Sequence, residues 1–215
     1  MAAAALLVVV AAVVVAAKAG HHSARPTTVQ PAQLGGLLLS ANDIGAVMGA
    51  PGIVIDYASD GLTPLADSIS DDKCRGTLHG LQPPVYEGSG YTAVNAQTLR
   101  DPSGTSWVQQ AVVGYPWAAV ARKFLKQSTT DWKSCAGQSV TLTGQGATQR
   151  WVVGDVTAVD DLITQESSKE AGKGWACQHA LKAASNVIID VTACSFDVTN
   201  QAAGIADTIA ARIGH

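Results

Sequence analysis

The residues that decide the fold run from Trp175 to Cys194, WACQHALKAASNVIIDVTAC. Trp175 to Ala184 and Val187 to Phe196 both read as strands, the second rich in Val and Ile. Ser185-Asn186 between them suits a two-residue hairpin turn, since Asn tolerates positive φ. Given that turn, residues equally far from it face one another, and Cys177 and Cys194 stand equally far. Pairs alternate outward from a hydrogen-bonded 184/187 pair, which makes 177/194 non-hydrogen-bonded, with Cα atoms about 4.5 Å apart. That separation lies within disulfide reach. The stretch predicts an antiparallel hairpin closed by a Cys177–Cys194 bridge.

Cys74 and Cys135 then remain for each other. None of the four cysteines forms a C-x-x-C pair, which disfavours a zinc ribbon or a thioredoxin-like motif. In the chain-entropy model the hairpin bridge and the longer Cys74–Cys135 loop contribute about 3 and about 4 kcal/mol, as upper estimates. Disulfides on this scale place the chain in an oxidising, extracytoplasmic setting.

Working outward, Ser40-Ala41-Asn42-Asp43 reads as a helix start, with Ser40 as N-cap and Asp43 at the capping-box position. Ile44, Val47 and Met48 form its apolar face, and Gly49 and Pro51 end it. Ile53 to Ser70 reads mostly as loop. Tyr91 to Leu99 and Ser106 to Val113 flank the turn signal Asp101-Pro102-Ser103-Gly104 and predict a hairpin. A helix follows with Pro116 at its first turn and Trp117, Val120, Ala121, Phe124 and Leu125 on its buried face. Arg122, Lys123 and Lys126 lie off that face, toward the expected C-terminal end. Val140 to Thr143, Gln149 to Val153 and Asp161 to Ser168 read as strands. A last helix, capped by Thr199 or Asn200, carries Ala202, Ile205, Ala206, Ile209, Ala210 and Ile213 on one face. Hairpins rather than crossovers imply an α+β fold with an antiparallel sheet and packed helices.

The amino-terminal part is different in kind. Ala2 to Ala17 are all Ala, Leu or Val, and Lys18 is the first charge. Sixteen helical residues span about 24 Å, less than the roughly 20 residues a membrane span needs. Residues 1–19 therefore read either as a signal peptide cleaved after Ala17-Lys18-Ala19 or as a short anchor with Lys18 snorkelling. No basic residue precedes the apolar run, so the true start, or a cytoplasmic extension, is expected upstream of Met1. Residues 20–36 read as a flexible linker with Pro26 and Pro31, and residues 37–215 as the folded domain. His21-His22 are read as solvated residues of the tether rather than a metal site.

Composition excludes several functions. The 215 residues are 47% hydrophobic and 14% charged with net charge −3, and no basic block offers a nucleic-acid surface. The chain contains no G-x-S-x-G, P-loop, G-x-G-x-x-G or H-E-x-x-H motif, and no cofactor or metal is expected. Asp160-Asp161 are neighbours, would point to opposite faces of a strand, and mark a strand edge. In the hairpin register His179 lies opposite Thr192 and diagonal to Asp190, an arrangement for a general base or for a structural His beside the disulfide. Trp132 and Trp175, each close before a Cys, read as core, and His79 as solvated. Trp107 and Gln109 share a strand face and Arg150 lies on another strand. With His179 and Asp190 they are the candidate ligand residues.

LLLSANDIGAVMGAP, the stretch from Cys74 to VYEGSGY, the helix ending Trp132-Lys133-Ser134-Cys135, and WACQHALKAASNVIIDVTAC together resemble the PknH-like extracellular sensor domain family of mycobacterial receptor serine/threonine kinases. The resemblance covers Leu37 to His215. It implies an α+β fold with two disulfides, Cys74–Cys135 and Cys177–Cys194, and an open cleft for an unidentified ligand. The chain departs from the receptors in carrying neither H-R-D nor D-F-G, and it has no lipid-attachment Cys after the apolar run. The expectation is a non-enzymatic sensor displayed in the cell envelope, held by its amino-terminal segment, with a small molecule or envelope component as partner. An envelope hydrolase or transferase using a cleft His/acid pair, or a protein-interaction domain, are the rivals.

Overall fold

The computed structural model describes residues 28–64, 67–144 and 146–213. The apolar run at residues 1–19, its anchor and cleavage readings, and His21-His22 lie outside the described residues. Among the described residues no helix is long and apolar enough to cross a membrane.

Among the described residues nine strands make one antiparallel sheet: β1 (Val54–Ser59), β2 (Ser68–Ile69), β3 (Ala93–Arg100), β4 (Ser106–Gly114), β5 (Ser139–Gly144), β6 (Ala147–Val159), β7 (Leu162–Lys169), β8 (Ala176–Ala184) and β9 (Val187–Ser195). Their spatial order is β1-β3-β4-β9-β8-β7-β6-β5-β2, so the hairpin read first from sequence stands at the centre. Cys177 pairs with Cys194 and Ala184 with Val187, as the turn register requires. The bridge between them has a Cα separation of 4.0 Å, and Cys74–Cys135 has one of 5.6 Å. The turn differs in one respect: Ser185 takes the positive φ (52°). Asn186 is buried and uses its side chain instead, accepting from Val29 N and donating to Val29 O and Tyr115 O.

The two faces of the sheet carry different cores. Val187, Ile189, Val191 and Ala193 of β9 point to one face, where they meet the helix α5 (Gln201–Ile213), the helix α1 (Ala41–Met48) and the segment Pro31–Leu37. Ile188, Ala183, Leu181 and Ala111 point to the other, beneath α4 (Ala118–Cys135) and the short helices α2 (Arg75–Leu78) and α3 (Pro83–Tyr86). A smaller cluster around Cys74, Cys135, Val140 and Trp151 continues that second layer. Every residue of β9 is buried, which a strand covered on both sides demands.

Several local expectations are corrected. Pro31–Leu37, read as flexible linker up to Gly36, is a 3-10 helix with Leu34 buried, so the folded unit begins before Leu37. Ile53 to Ser70 contains β1 and β2, not only loop. The β1 strand is exposed along most of its length and so lacks the buried alternation that identifies strands. Ser40 and Asp43 form the expected capping box, but Val47 is exposed and Gly45 packs in its place. Helix α4 begins at Ala118, with Trp117 as an exposed N-cap residue rather than a member of the buried face. Because α4 runs on to Cys135, Arg122, Lys123 and Lys126 lie along its middle rather than at its end. Asp160-Asp161 form the two-residue turn between β6 and β7, with Asp160 at φ 52°.

Candidate functional site

On the α4 side, facing residues line up in rows across the strands. One row reads Thr98, Gln109, Thr192, His179 and Gln165, all on the same face of β3, β4, β9, β8 and β7. The next toward the open end reads Arg100, Trp107, Cys194, Cys177 and Ser167. These rows floor a cleft of about 700 Å³, walled by Thr77 to Gln82 on one side and by Gln149, Trp151 and Trp175 on another. Its size is that of a small-ligand site.

The wall is fastened by one buried carboxylate. Asp190 Oδ1 meets His179 Nε2 at 2.8 Å, while Oδ2 accepts from Tyr86 OH at 2.7 Å and from Leu81 N at 3.1 Å. His179 Nδ1 faces the Thr77 carbonyl at 3.2 Å. Both ring nitrogens of His179 thus meet oxygen. Trp132 covers this group, its ring 4.4 Å from that of His179. Burial, with Asp190 adding to it, pushes the Tyr86 phenol far above its ordinary pKa and keeps it a donor.

Local backbone follows from that latch. Leu81 is fully buried at φ 58°, a costly conformation for a branched residue. It is held there by Leu81 N on Asp190 and by Thr63 N on its carbonyl. Gly80 lies so close to the sheet that a Cβ would stand 2.5 Å from Asp190 Oδ1 and 2.9 Å from Gln109 Oε1. Only glycine fits that approach.

Three buried side-chain atoms have no hydrogen-bond partner within the described residues: His79 Nε2, Trp151 Nε1 and Thr192 Oγ1. All three belong to residues that line this cleft. Thr192 is 3% and Trp151 8% exposed. Burial first, then His179 and Arg75, pushes the His79 imidazole down to about 4, so it is neutral at neutral pH.

Of the residues singled out from sequence, Trp107, Gln109 and His179 line the cleft, and Asp190 lies beneath it bound to His179. Arg150 is corrected: on β6 it alternates with the cleft residues Gln149 and Trp151, points to the opposite face and pairs with Glu170 at 3.6 Å. His79 is corrected from solvated to largely buried. Trp132 is core, whereas Trp175 is half-buried against Phe196 and lines the cleft. Sequence reading missed Trp151, Thr192 and Gly80. Thr192 was available from the register, opposite His179, but nothing in the chain signals that its hydroxyl lacks a partner.

A family model described as PknH-like extracellular domain matches residues 29–212. The chain belongs to the PknH-like extracellular domain family. Serine/threonine-protein kinases PknH of Mycobacterium bovis and Mycobacterium tuberculosis are each 40% identical to it over 201 residues, which is 88% of this chain. The chain spans about a third of the length of these relatives (33% and 32%). The crystal structure of the extracellular domain of PknH from Mycobacterium tuberculosis superposes with a TM-score of 0.85 at 37% identity, covering 88% of this chain and 98% of that one. Membership in the PknH-like family gives an extracytoplasmic location and agrees with the α+β fold and two disulfides described above. The family match starts at residue 29, where Val29 makes its bonds to Asn186.

Proposed function

We propose that this chain is a non-enzymatic ligand-sensing domain of the cell envelope, tethered through its amino-terminal segment, which takes a small molecule or envelope component in the cleft between the 77–82 wall and the sheet. The observation that carries the reading is that the three residues with an unpartnered buried polar atom, His79, Trp151 and Thr192, all line one cleft. Unpartnered buried polar atoms cost about 1–3 kcal/mol each, and a ligand that pairs with them removes that cost. The His179–Asp190 pair supports binding rather than catalysis. Its nitrogens and oxygens are engaged with Thr77, Tyr86, Leu81 and each other, which fits a fixed wall better than a base that must exchange protons with substrate. The kinase relatives motivate the remaining step, in which occupancy of the cleft is passed to a signalling partner.

Native mass spectrometry of the protein purified from its own envelope tests this. A co-purifying small mass is expected in the parent and is expected to vanish in Thr98→Trp and Gln149→Trp, which fill the cleft from two strands. A ligand-free parent, or the same mass retained in both filled variants, contradicts the reading.

A further inference from the structure

Resting on that reading, we propose that the ligand class is a neutral, polyhydroxylated one: a sugar or glycan segment laid across the strands from Trp107 to Trp151. Three indoles line the cleft, Trp107, Trp151 and Trp175. The face of an indole carries the negative end of a quadrupole and suits the weakly positive C–H face of a sugar ring. Between and beside the indoles the lining adds amides and hydroxyls from Gln109, Gln149, Thr98, Thr192 and Ser167 to the Cys177–Cys194 bridge. A sugar hydroxyl donates and accepts at once, and the three unpartnered atoms ask for both roles. Trp151 Nε1 donates only, the Thr192 hydroxyl does either, and neutral His79 Nε2 donates or accepts according to its tautomer.

Other ligand classes fit less well. An anion needs an uncommitted cation, and the Arg100 Nε lies 3.4 Å from Asp56 at the rim. Asp67, against Gly144, would repel a second negative charge. An acyl chain carries no donor or acceptor along its length and would leave the three polar atoms unpaired. The span also suits more than one ring. Trp107 stands on β4 and Trp151 on β6, four strand spacings apart in the order β4-β9-β8-β7-β6. That is up to about 19 Å along the sheet at about 4.8 Å per strand.

The test titrates the intact domain by calorimetry and tryptophan fluorescence with neutral trisaccharides (gluco-, manno-, galacto- and arabino-oligomers). Trisaccharides carrying a uronic acid and the fluorescent acyl probe cis-parinaric acid run beside them. A neutral trisaccharide is expected to bind and to shift the indole emission. Trp107→Ala is expected to weaken that binding roughly tenfold or more, while Trp107→Phe, which keeps a ring, recovers most of it. Near-ultraviolet circular dichroism shows that each variant retains its fold, and Trp175→Ala repeats the test at a second ring. If only the acidic sugar or the acyl probe binds in the cleft, the glycan assignment is overturned and the ligand-sensing reading stands. If no probe binds, the glycan assignment is overturned too, and the mass spectrum of the envelope-purified protein decides the broader reading.

Discussion

Asp190 is the residue on which the site depends. A carboxylate buried to 2% exposure is tolerated because three partners satisfy it, and each lies on, or contacts, the segment that walls the cleft. Asp190→Ala strands Leu81 N, Tyr86 OH and His179 in a dry interior, and urea unfolding should show a loss of about 3–5 kcal/mol. Asp190→Asn keeps an acceptor and should cost less. His79 makes stability depend on acid. Its folded pKa of about 4 lies below the ordinary 6.5 of the unfolded chain, so the unfolded state binds more protons between these values. The contribution is full above pH 6.5 and is lost as pH falls toward 4, by up to about 3 kcal/mol. Melting temperature against pH should fall through that window, and His79→Leu should flatten it.

At the scale of elements, the central hairpin was legible because turn, β-branched composition and cysteine spacing all point to one register. His179 and Asp190 come with it, since a register fixes diagonal neighbours. Arg150 was not placed correctly, because its side depends on where β6 registers against β7, and a bulge interrupts that pairing between Val153 and Val156. His79 was misread because its burial comes from residues distant in sequence, including His179. The 29–36 segment was misread for the same reason: Val29 bonds to Asn186, and just beyond the segment Gln110 accepts from Leu39 N and donates to Leu39 O. Asn186→Ala should therefore loosen an element far from it in sequence. Hydrogen exchange is expected to speed at Val29, with loss of the Nδ2 bond to Tyr115 O costing about 1–3 kcal/mol overall. Unchanged exchange at Val29 would mean that the 3-10 helix holds this segment without Asn186.

For the molecule as a whole, a sheet with one face filled by α5 and the other only partly covered by α4 leaves room for a cleft. The two disulfides stabilise different parts of that plan. Cys74–Cys135 ties the wall to the end of α4 across a separation of 61 residues, and Cys177–Cys194 crosslinks the floor across 17. Loop entropy makes the longer bridge worth about 1 kcal/mol more, so Cys74→Ala/Cys135→Ala should lower stability further than Cys177→Ala/Cys194→Ala in chemical denaturation. The central claim is that the cleft keeps polar atoms for a ligand at the expense of the free protein. Thermal unfolding of ligand-free Thr192→Val and Trp151→Phe tests it most directly, since each removes an unpartnered group and keeps most of the packing. The account predicts melting temperatures about 2–4 °C above the parent for each variant; a fall in both would mean that these groups hold the fold together, and would contradict it.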